Sequence, residues 1–430
     1  MSHNTLPPKP RPLGTSAVEQ RTSSGPADGS SVELPSSVDG GKVRLDRGNT
    51  RTVTAPKSHV RSYASALAVE QADVASAELQ HFVFSHGQYF DSYLATEPGR
   101  LNFWSPTGPG LVSYARRGRH ALVGGGLIAP EDHRAELLRE FVEFASNRRL
   151  NVFFHNIGDD DLPAFRQLDF QITKWGEEPI IDLGSCTWGG KPFEWVRRQT
   201  NFCLRNGLQA FEVLPDTLEP EQWSRTRAEI LEVSTESLSL KAQSDSMKFF
   251  EGRIDNHELG LRRLFIARSS YGAGRIEGFL ICNPMREGTM WSTELYRRRL
   301  DSVRGTMAFL IHHTLQQLQA EGITRVGLCL DPGLNCETPL PGDSFLVRRG
   351  MTFGNRYLNA VFDVSGLRHF KSRFRPRYEN RYVCALPKVS IGSVMAFASL
   401  SGLFNLSPTK LARVIMGHWR KGAARQSLDC

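Results

Sequence analysis

The clearest hydrophobic pattern in the chain lies between Met290 and Gly322. A run with extended character, Met290 to Tyr296, leads through three arginines into a stretch where Met307, Leu310, Ile311, Thr314, Leu315 and Leu318 recur at i, i+3 and i+4. That period predicts an amphipathic helix, with Gly322 at its C-cap and a further strand from Arg325 to Leu330. Strand, charged elbow, helix, strand sets the elbow at a strand's C-terminal end beside a helix start. Glu294 and Arg297 are expected there, exposed, where a carboxylate and a guanidinium can meet one ligand. An isolated Glu-x-x-Arg looks the same in a surface ion pair.

The same order of elements occurs twice. In the first half a helix through Val74 to Phe82 precedes a hairpin, Leu111–Arg116 and His120–Gly124, turning on Arg116–Arg119. A helix starting near Pro130 carries an apolar face of Leu137, Leu138, Phe141, Val142 and Phe144. A buried strand (Val152–His155), a helix (Leu162–Leu168) and a strand pair flanking Gly176 follow. Gly124–Gly126 fits either a phosphate cradle or a tight turn. Lys191 to Leu208 predicts a connector helix that stops at Asn206-Gly207. The second half has a helix from Pro220 to Ser234 and a short helix near Met247–Gly252. Its hairpin, Leu264–Arg268 and Ile276–Cys282, leads into the elbow stretch. Hairpin, strand, helix, strand, occurring twice, predicts an α/β protein of two tandem units joined by a helix. That order is typical of the GNAT (acyl-CoA N-acyltransferase-like) fold. The expected divisions are a disordered tail (1–75), a first GNAT-like domain (76–190), the connector (191–208), a second domain (209–388) and an apolar, basic C-terminal tail (389–430).

Composition narrows the partners. Over 430 residues, 53 Lys and Arg exceed 45 Asp and Glu, giving +8, which favours anionic partners such as nucleic acid or acidic membrane. The seven cysteines form no C-x-x-C pair, so reduced, buried thiols in a cytoplasmic compartment are expected rather than a disulfide framework or zinc site. Residues 1–57 are rich in Pro, Ser, Gly and Thr and lack a signal-peptide core. No window reaches the ~20 consecutive apolar residues of a spanning helix. A coenzyme A pyrophosphate needs a glycine-rich helix N-terminus. Ser302-Val-Arg-Gly-Thr-Met307 offers one glycine, and methionine where a small residue is wanted, so coenzyme A is not expected as donor.

Several runs together resemble one family. Lys174-Trp-Gly-Glu-Glu-Pro-Ile-Ile-Asp-Leu183 is similar to the Lys-x-Gly-Glu-Glu-Ala-x-x-Asp-Leu segment of the phosphatidylglycerol lysyltransferase C-terminal domain. The connector, with Arg197, Arg198, Asn201 and Gly207, resembles that family's Arg-rich helix. Glu236-Ser-Leu-Ser-Leu-Lys241 sits where the family has Glu-Lys-Gly-Phe-Ser-Leu-Gly, and Glu294-Leu-Tyr-Arg297 falls on its Asp-x-x-Arg. Leu367 to Tyr382 resembles its Phe-Lys-x-Lys-Phe-x-Pro-x-Trp-Glu-x-Arg-Tyr signature. These motifs occur in order over roughly residues 80 to 387.

The resemblance implies an enzyme, its second domain catalytic, that moves an aminoacyl group from aminoacyl-tRNA to a membrane-lipid hydroxyl such as that of phosphatidylglycerol. The donor is an activated ester, so no cofactor or metal is implied. Glu294 would bind the α-ammonium, Arg297 would fix that carboxylate or meet the carbonyl, and Glu236 would be a second carboxylate near the amino acid. Lys371, Arg373, Arg377 and Arg381 would meet tRNA or lipid phosphate, with Glu178 and Tyr382 completing the substrate-binding set. An anionic membrane lipid is the implied second partner, met by peripheral contact at the inner face of the membrane. The departures are Glu294 for Asp, Arg373 for Lys, Tyr378 for Trp, and Gly124-Gly-Gly for a Gly-Asp-Pro turn. They leave the amino acid and the acceptor open. A transferase acting on a peptide or peptidoglycan amine, and a non-catalytic basic module binding RNA or membrane, are the other readings.

Overall fold

A computed structural model describes residues 76–239, 249–253, 259–271, 274–353, 364–400 and 402. The expected 1–75 tail and most of the chain after Leu400 lie outside the described residues. Helix α1 (Ser76–His86) precedes an antiparallel meander of β1 (Leu101–Trp104), β2 (Leu111–Arg117) and β3 (His120–Val123). Helix α2 (Arg134–Asn147) then carries the chain over to β4 (Asn151–Ile157), parallel to β3. After α3 (Leu162–Gln167) comes the long strand β5 (Gln171–Asp182). The connector forms α4 (Glu194–Arg205), followed by β6 (Leu208–Val213) and α5 (Pro220–Ser239). A second meander, β7 (Arg263–Ser269), β8 (Ile276–Met285) and β9 (Met290–Arg298), leads through α6 (Thr306–Ala320) to β10 (Arg325–Gly327), parallel to β9. The unit expected twice is thus present twice, as β1–β2–β3–α2–β4 and β7–β8–β9–α6–β10.

Helix α6 shows how the pattern becomes structure. Leu310, Ile311, Leu315 and Leu318 are buried against Leu280, Trp291 and Val326. Each such side chain contributes about 1.5–3 kcal/mol on burial, more than the ~1 kcal/mol of a typical cap. Gly305 (φ 92°) starts the helix and Gly322 (φ 87°) ends it, with the Ile323 N–H reaching back to the Leu318 carbonyl. On the other face of the same strands, Ile230 and Val233 of α5 cover Leu264, Ile266, Phe279 and Ile281.

Among the described residues, the remaining strands and α-helices are β11 (Asp331–Pro332), α7 (Phe345–Phe353), a helix at Val364–Ser372, β12 (Arg377–Leu386) and a C-terminal helix at Ile391–Leu400. The sheet runs β1-β2-β3-β4-β12-β5-β10-β9-β8-β7-β6, with β11 added beside β5. Strand β12, counted with the second domain in the sequence division, lies between β4 and β5 and is antiparallel to both. The two halves therefore share one sheet through a strand donated from the end of the second.

Three local expectations are corrected. The strand pair flanking Gly176 is one continuous strand; Gly176 is where the Asp331 backbone crosses so closely that a Cβ would collide with it. The strand expected over Arg325–Leu330 stops at Gly327. Cys329 takes φ 60°, turning the chain so that Asp331 and Pro332 pair with β5 instead. The short helix at Met247–Gly252 is a turn and bend over residues 249–253, its first two residues lying outside the described ones.

Candidate active site

Strands β9 and β10 run together only over Met290–Ser292 and Arg325–Gly327, and beyond that they diverge. Glu294 and Arg297 stand on the diverging part of β9. Three apart on a regular strand, they would point to opposite faces. The pairing with β8 shows why they do not. Cys282 opposes Thr293 and Ile281 opposes Leu295, so Glu294 is the extra residue of a β-bulge. Both side chains consequently reach the 249–253 turn. Glu294 Oε1 accepts the Gly252 N–H. Arg297 donates to Glu251 Oε2 at 2.7 Å and to Ser234 Oγ.

Both residues are buried where the sequence spacing led to the expectation of exposed ones, and they are not a surface ion pair either. Glu294 is 9% and Arg297 4% exposed, and the two do not pair with each other but with successive residues of one turn. Gly252 is held between three charged groups; a Cβ there would collide with Arg262 Nη1 and press on Glu97 and Glu294. Arg262 and Glu97 form a buried ion pair at 3.1 Å. Burial pushes the Glu294 carboxyl up to about 7, against the pull of Arg262 and the Gly252 N–H. Its second oxygen, Oε2, is buried without a hydrogen-bond donor among the described residues. A carboxylate with one oxygen fixed by backbone and the other unpartnered is built to receive a cation or an N–H donor.

The other expected residues divide. Glu178 and Arg381 are brought together on β5 and β12, where Arg381 forks onto Glu178 Oε2 at 2.9 and 2.6 Å. Burial raises the Glu178 carboxyl and Arg381 pulls it back. Its Oε1 faces Gly327, so the pair sits beside the point where β9 and β10 part. Arg381 is thus committed to Glu178 and Glu379, and Tyr382 donates to Asp159 at 2.8 Å. Glu236 does not join Glu294: it accepts from Arg299 Nη1 at 3.1 Å and the Leu300 N–H at 2.8 Å. Lys371 is also placed otherwise than expected. Its ammonium is buried on Asp331 (2.8 Å) and the Cys329 and Leu330 carbonyls, which fixes the kinked segment after β10. Arg373 stacks near Trp195 of α4 and meets His369, while the exposed Arg377 reaches Glu379. Beside them the outer face of α4 forms a groove of about 490 Å³ lined by Glu194, Arg197, Arg198, Asn201, Leu204 and Arg205.

Sequence reasoning missed a cluster supplied by the first half. Asp91 accepts from the Gly125 N–H and from Asn156, both at 2.9 Å, and lies 3.3 Å from His155. His155, kept neutral by burial, packs its ring on Phe249 and Phe250, next to the turn that binds Glu294 and Arg297. Arg100 stacks over Phe249 at 4.0 Å. No local motif signals these contacts, which join residues far apart in the chain. The cluster also decides the triple glycine: the Gly125 amide is used by Asp91, and Gly126 lies against the Tyr89 ring, so this is a turn and not a phosphate cradle. At the start of α6, Gln199 and Cys203 of α4 lie against Gly305, so protein packs on the turn where a coenzyme A pyrophosphate would need open backbone. Among the described residues there is no His/Cys/Asp/Glu group suited to a metal ion, and no helix long and apolar enough to cross a membrane.

Two meander–helix–strand units in tandem, with parallel strands parting beside a buried carboxylate, define a mixed α/β protein with tandem GNAT-like domains. More narrowly, the chain belongs to the phosphatidylglycerol lysyltransferase, C-terminal family, whose model matches residues 81–385. It is 25% identical over 297 residues to the phosphatidylglycerol lysyltransferase of Bacillus subtilis (strain 168), covering 68% of this chain and 33% of that one. With the Staphylococcus aureus (strain MSSA476) phosphatidylglycerol lysyltransferase it shares 22% over 311 residues, covering 71% and 35%. The chain thus spans about a third of the length of these curated relatives. Among solved structures, the C-terminal domain of a candidate lysylphosphatidylglycerol synthetase from Agrobacterium fabrum superposes with a TM-score of 0.64 at 21% identity. L-PGS from Bacillus licheniformis gives 0.62 at 22%, and each comparison covers 76% of this chain and 96% of the other.

Proposed function

We propose that this chain transfers an aminoacyl group from aminoacyl-tRNA to a hydroxyl of a membrane lipid, with phosphatidylglycerol the first acceptor to test. The observation that carries the reading is Glu294. It is a buried carboxyl, bound through one oxygen to the Gly252 N–H and unpartnered at the other, set where β9 leaves β10. An α-ammonium placed on Oε2 would ionise the carboxyl and hold the amino acid. The lipid hydroxyl oxygen then attacks the ester carbonyl carbon, the bond to the ribose oxygen breaks, and the hydroxyl proton passes to that oxygen. The donor is already activated, so positioning and charge stabilisation are what the protein must supply. Arg297 is a positioning residue in this scheme: through Glu251 it fixes the turn whose next amide caps Glu294. The exposed Arg377, the half-buried Arg373 and the arginines of α4 offer phosphate contacts to tRNA. The reaction would take place at the cytoplasmic surface of the membrane.

The test is a purified mixture of this protein, tRNA, a synthetase, ATP, one amino acid and lipid vesicles, run amino acid by amino acid. Aminoacyl-lipid detected by mass spectrometry and abolished by ribonuclease is the expected result. Product formed from acetyl-coenzyme A alone, or activity undiminished by ribonuclease, overturns the reading.

A further inference from the structure

The C-terminal helix, Ile391–Leu400, lies outside residues 81–385, the part of the chain that carries the family match. It is firmly seated. Ser390 and Ser393 cap its first turn reciprocally, with the Ser393 N–H on Ser390 Oγ at 3.1 Å and the Ser390 N–H on Ser393 Oγ at 3.3 Å. Phe397 packs on Phe153, Trp175 and Phe250, and Ala396 is buried beneath it. Gly392 lets the helix close on the start of β3, since a Cβ there would stand 3.0 Å from His120 Nε2.

The opposite edge of this helix is left apolar and open. Ile391 is 71% and Met395 50% exposed, one turn apart. Two large apolar side chains clustered on one helix edge, unlike a single exposed residue, need an explanation, the more so where Ser393 and Ala396 bury the other edge. Its neighbours supply one. His120 pairs with Arg117 across the β2–β3 hairpin, so the helix start lies beside the hairpin tip, where Arg116, Arg117 and Arg119 are exposed. Lys388 is exposed just before the helix. The sequence from Leu386 to Leu428 has no Asp or Glu but includes Lys388, Lys410, Arg413, Arg420, Lys421 and Arg425. A second copy of this chain would bring like charges together across such a face, whereas an anionic lipid surface meets both the apolar edge and the cations.

We propose that the Ile391–Met395 edge of the C-terminal helix and the Arg116–Arg119 hairpin together seat this protein on an anionic bilayer, the two side chains entering the headgroup boundary. This rests on the reading of the chain as a lipid-modifying transferase only in supplying a reason for the contact. Full-length protein is to be sedimented with vesicles of phosphatidylcholine alone and with vesicles containing a third phosphatidylserine, a lipid chosen because it is not the tested acceptor. Binding is expected to the anionic vesicles only, and to weaken with salt. Ile391→Asp with Met395→Asp, and separately Arg117→Glu with Arg119→Glu, should each weaken it on the order of tenfold or more. Both pairs lie on the surface, and unchanged thermal melting establishes that they fold. Wild-type binding by either variant pair, or no binding by the natural chain, overturns the proposal. Loss of a dimer in Ile391→Asp with Met395→Asp, with vesicle binding intact, would assign the face to self-association and also overturns it. Transfer to acceptor lipid dispersed in detergent is measured in parallel, where both variant pairs should match the natural chain. Failure of the natural chain there, with vesicle binding lost in the variants, would refute the transferase reading and leave the docking face standing.

Discussion

Replacing Glu294 with glutamine separates what this carboxyl does for the fold from what it does for a ligand. The side chain keeps its shape and Oε1 keeps the Gly252 N–H, but the group can no longer ionise. In the folded protein the carboxyl titrates at about 7 against a usual glutamate value of 4.5. A folded-state value raised in this way contributes stability that is complete below about 4.5 and is lost as pH rises through about 7. At ~1.4 kcal/mol per pH unit, the difference corresponds to about 3 kcal/mol across that window. Denaturant titrations at pH 5 and pH 8 should therefore show a pH-dependent loss in the natural protein that Glu294→Gln lacks. The variant should be the relatively more stable of the two at pH 8. In catalysis the sign reverses. A cation on Oε2 needs the ionised form, so kcat/KM should rise with pH through about 7 in the natural enzyme. Glu294→Gln should lose that limb, with turnover lowered on the order of tenfold to thousandfold. Parallel pH–stability curves for the two proteins would refute the burial argument. Undiminished turnover in the variant would refute the ammonium assignment.

Other outcomes follow from the same geometry. Arg297→Ala should cost about 1–3 kcal/mol by urea titration, because Ser234 and Glu251 lose their partner, and should lower activity; Arg297→Lys should restore much of the stability but little of the activity. Lys371→Ala should cost about 3–5 kcal/mol, since it strands Asp331 in the interior. Arg373→Ala should cost no more than about 1 kcal/mol, the worth of its stack on Trp195, and flatten the log–log salt dependence of tRNA binding by about 0.9, the loss of one phosphate contact. A chain cut to residues 76–208 lacks β12, leaving β4 and β5 without their shared neighbour, and should elute as aggregate on size exclusion; a monodisperse, folded fragment would contradict the shared sheet.

What could be read from the sequence was whatever is encoded locally. The α6 face, the hairpin closed by Gly118 and the glycine stop at Gly322 all come from period and turn chemistry within a few residues. The repeated order of elements was legible for the same reason, and the family motifs added which residues to watch. The shared strand was not. Nothing within Arg377–Leu386 states that its partners are β4 and β5, more than 190 residues upstream, instead of the strands before it.

The site shows the same limit at finer grain. Glu294 and Arg297 were visible as a spacing, and that spacing, read on a regular strand, sends them to opposite faces. They converge because Ile281 and Cys282 on the neighbouring strand oppose Leu295 and Thr293, and that register is fixed by packing, not by the motif itself. Lys371 was visible as a cation in a basic run, yet its role is set by Asp331 and by the kink at Cys329 that aims two carbonyls at it. In both cases the residue type was legible and the environment was not. A carboxyl that is an ordinary surface acid in one register becomes, one residue out of step, a buried group whose charge depends on what binds it.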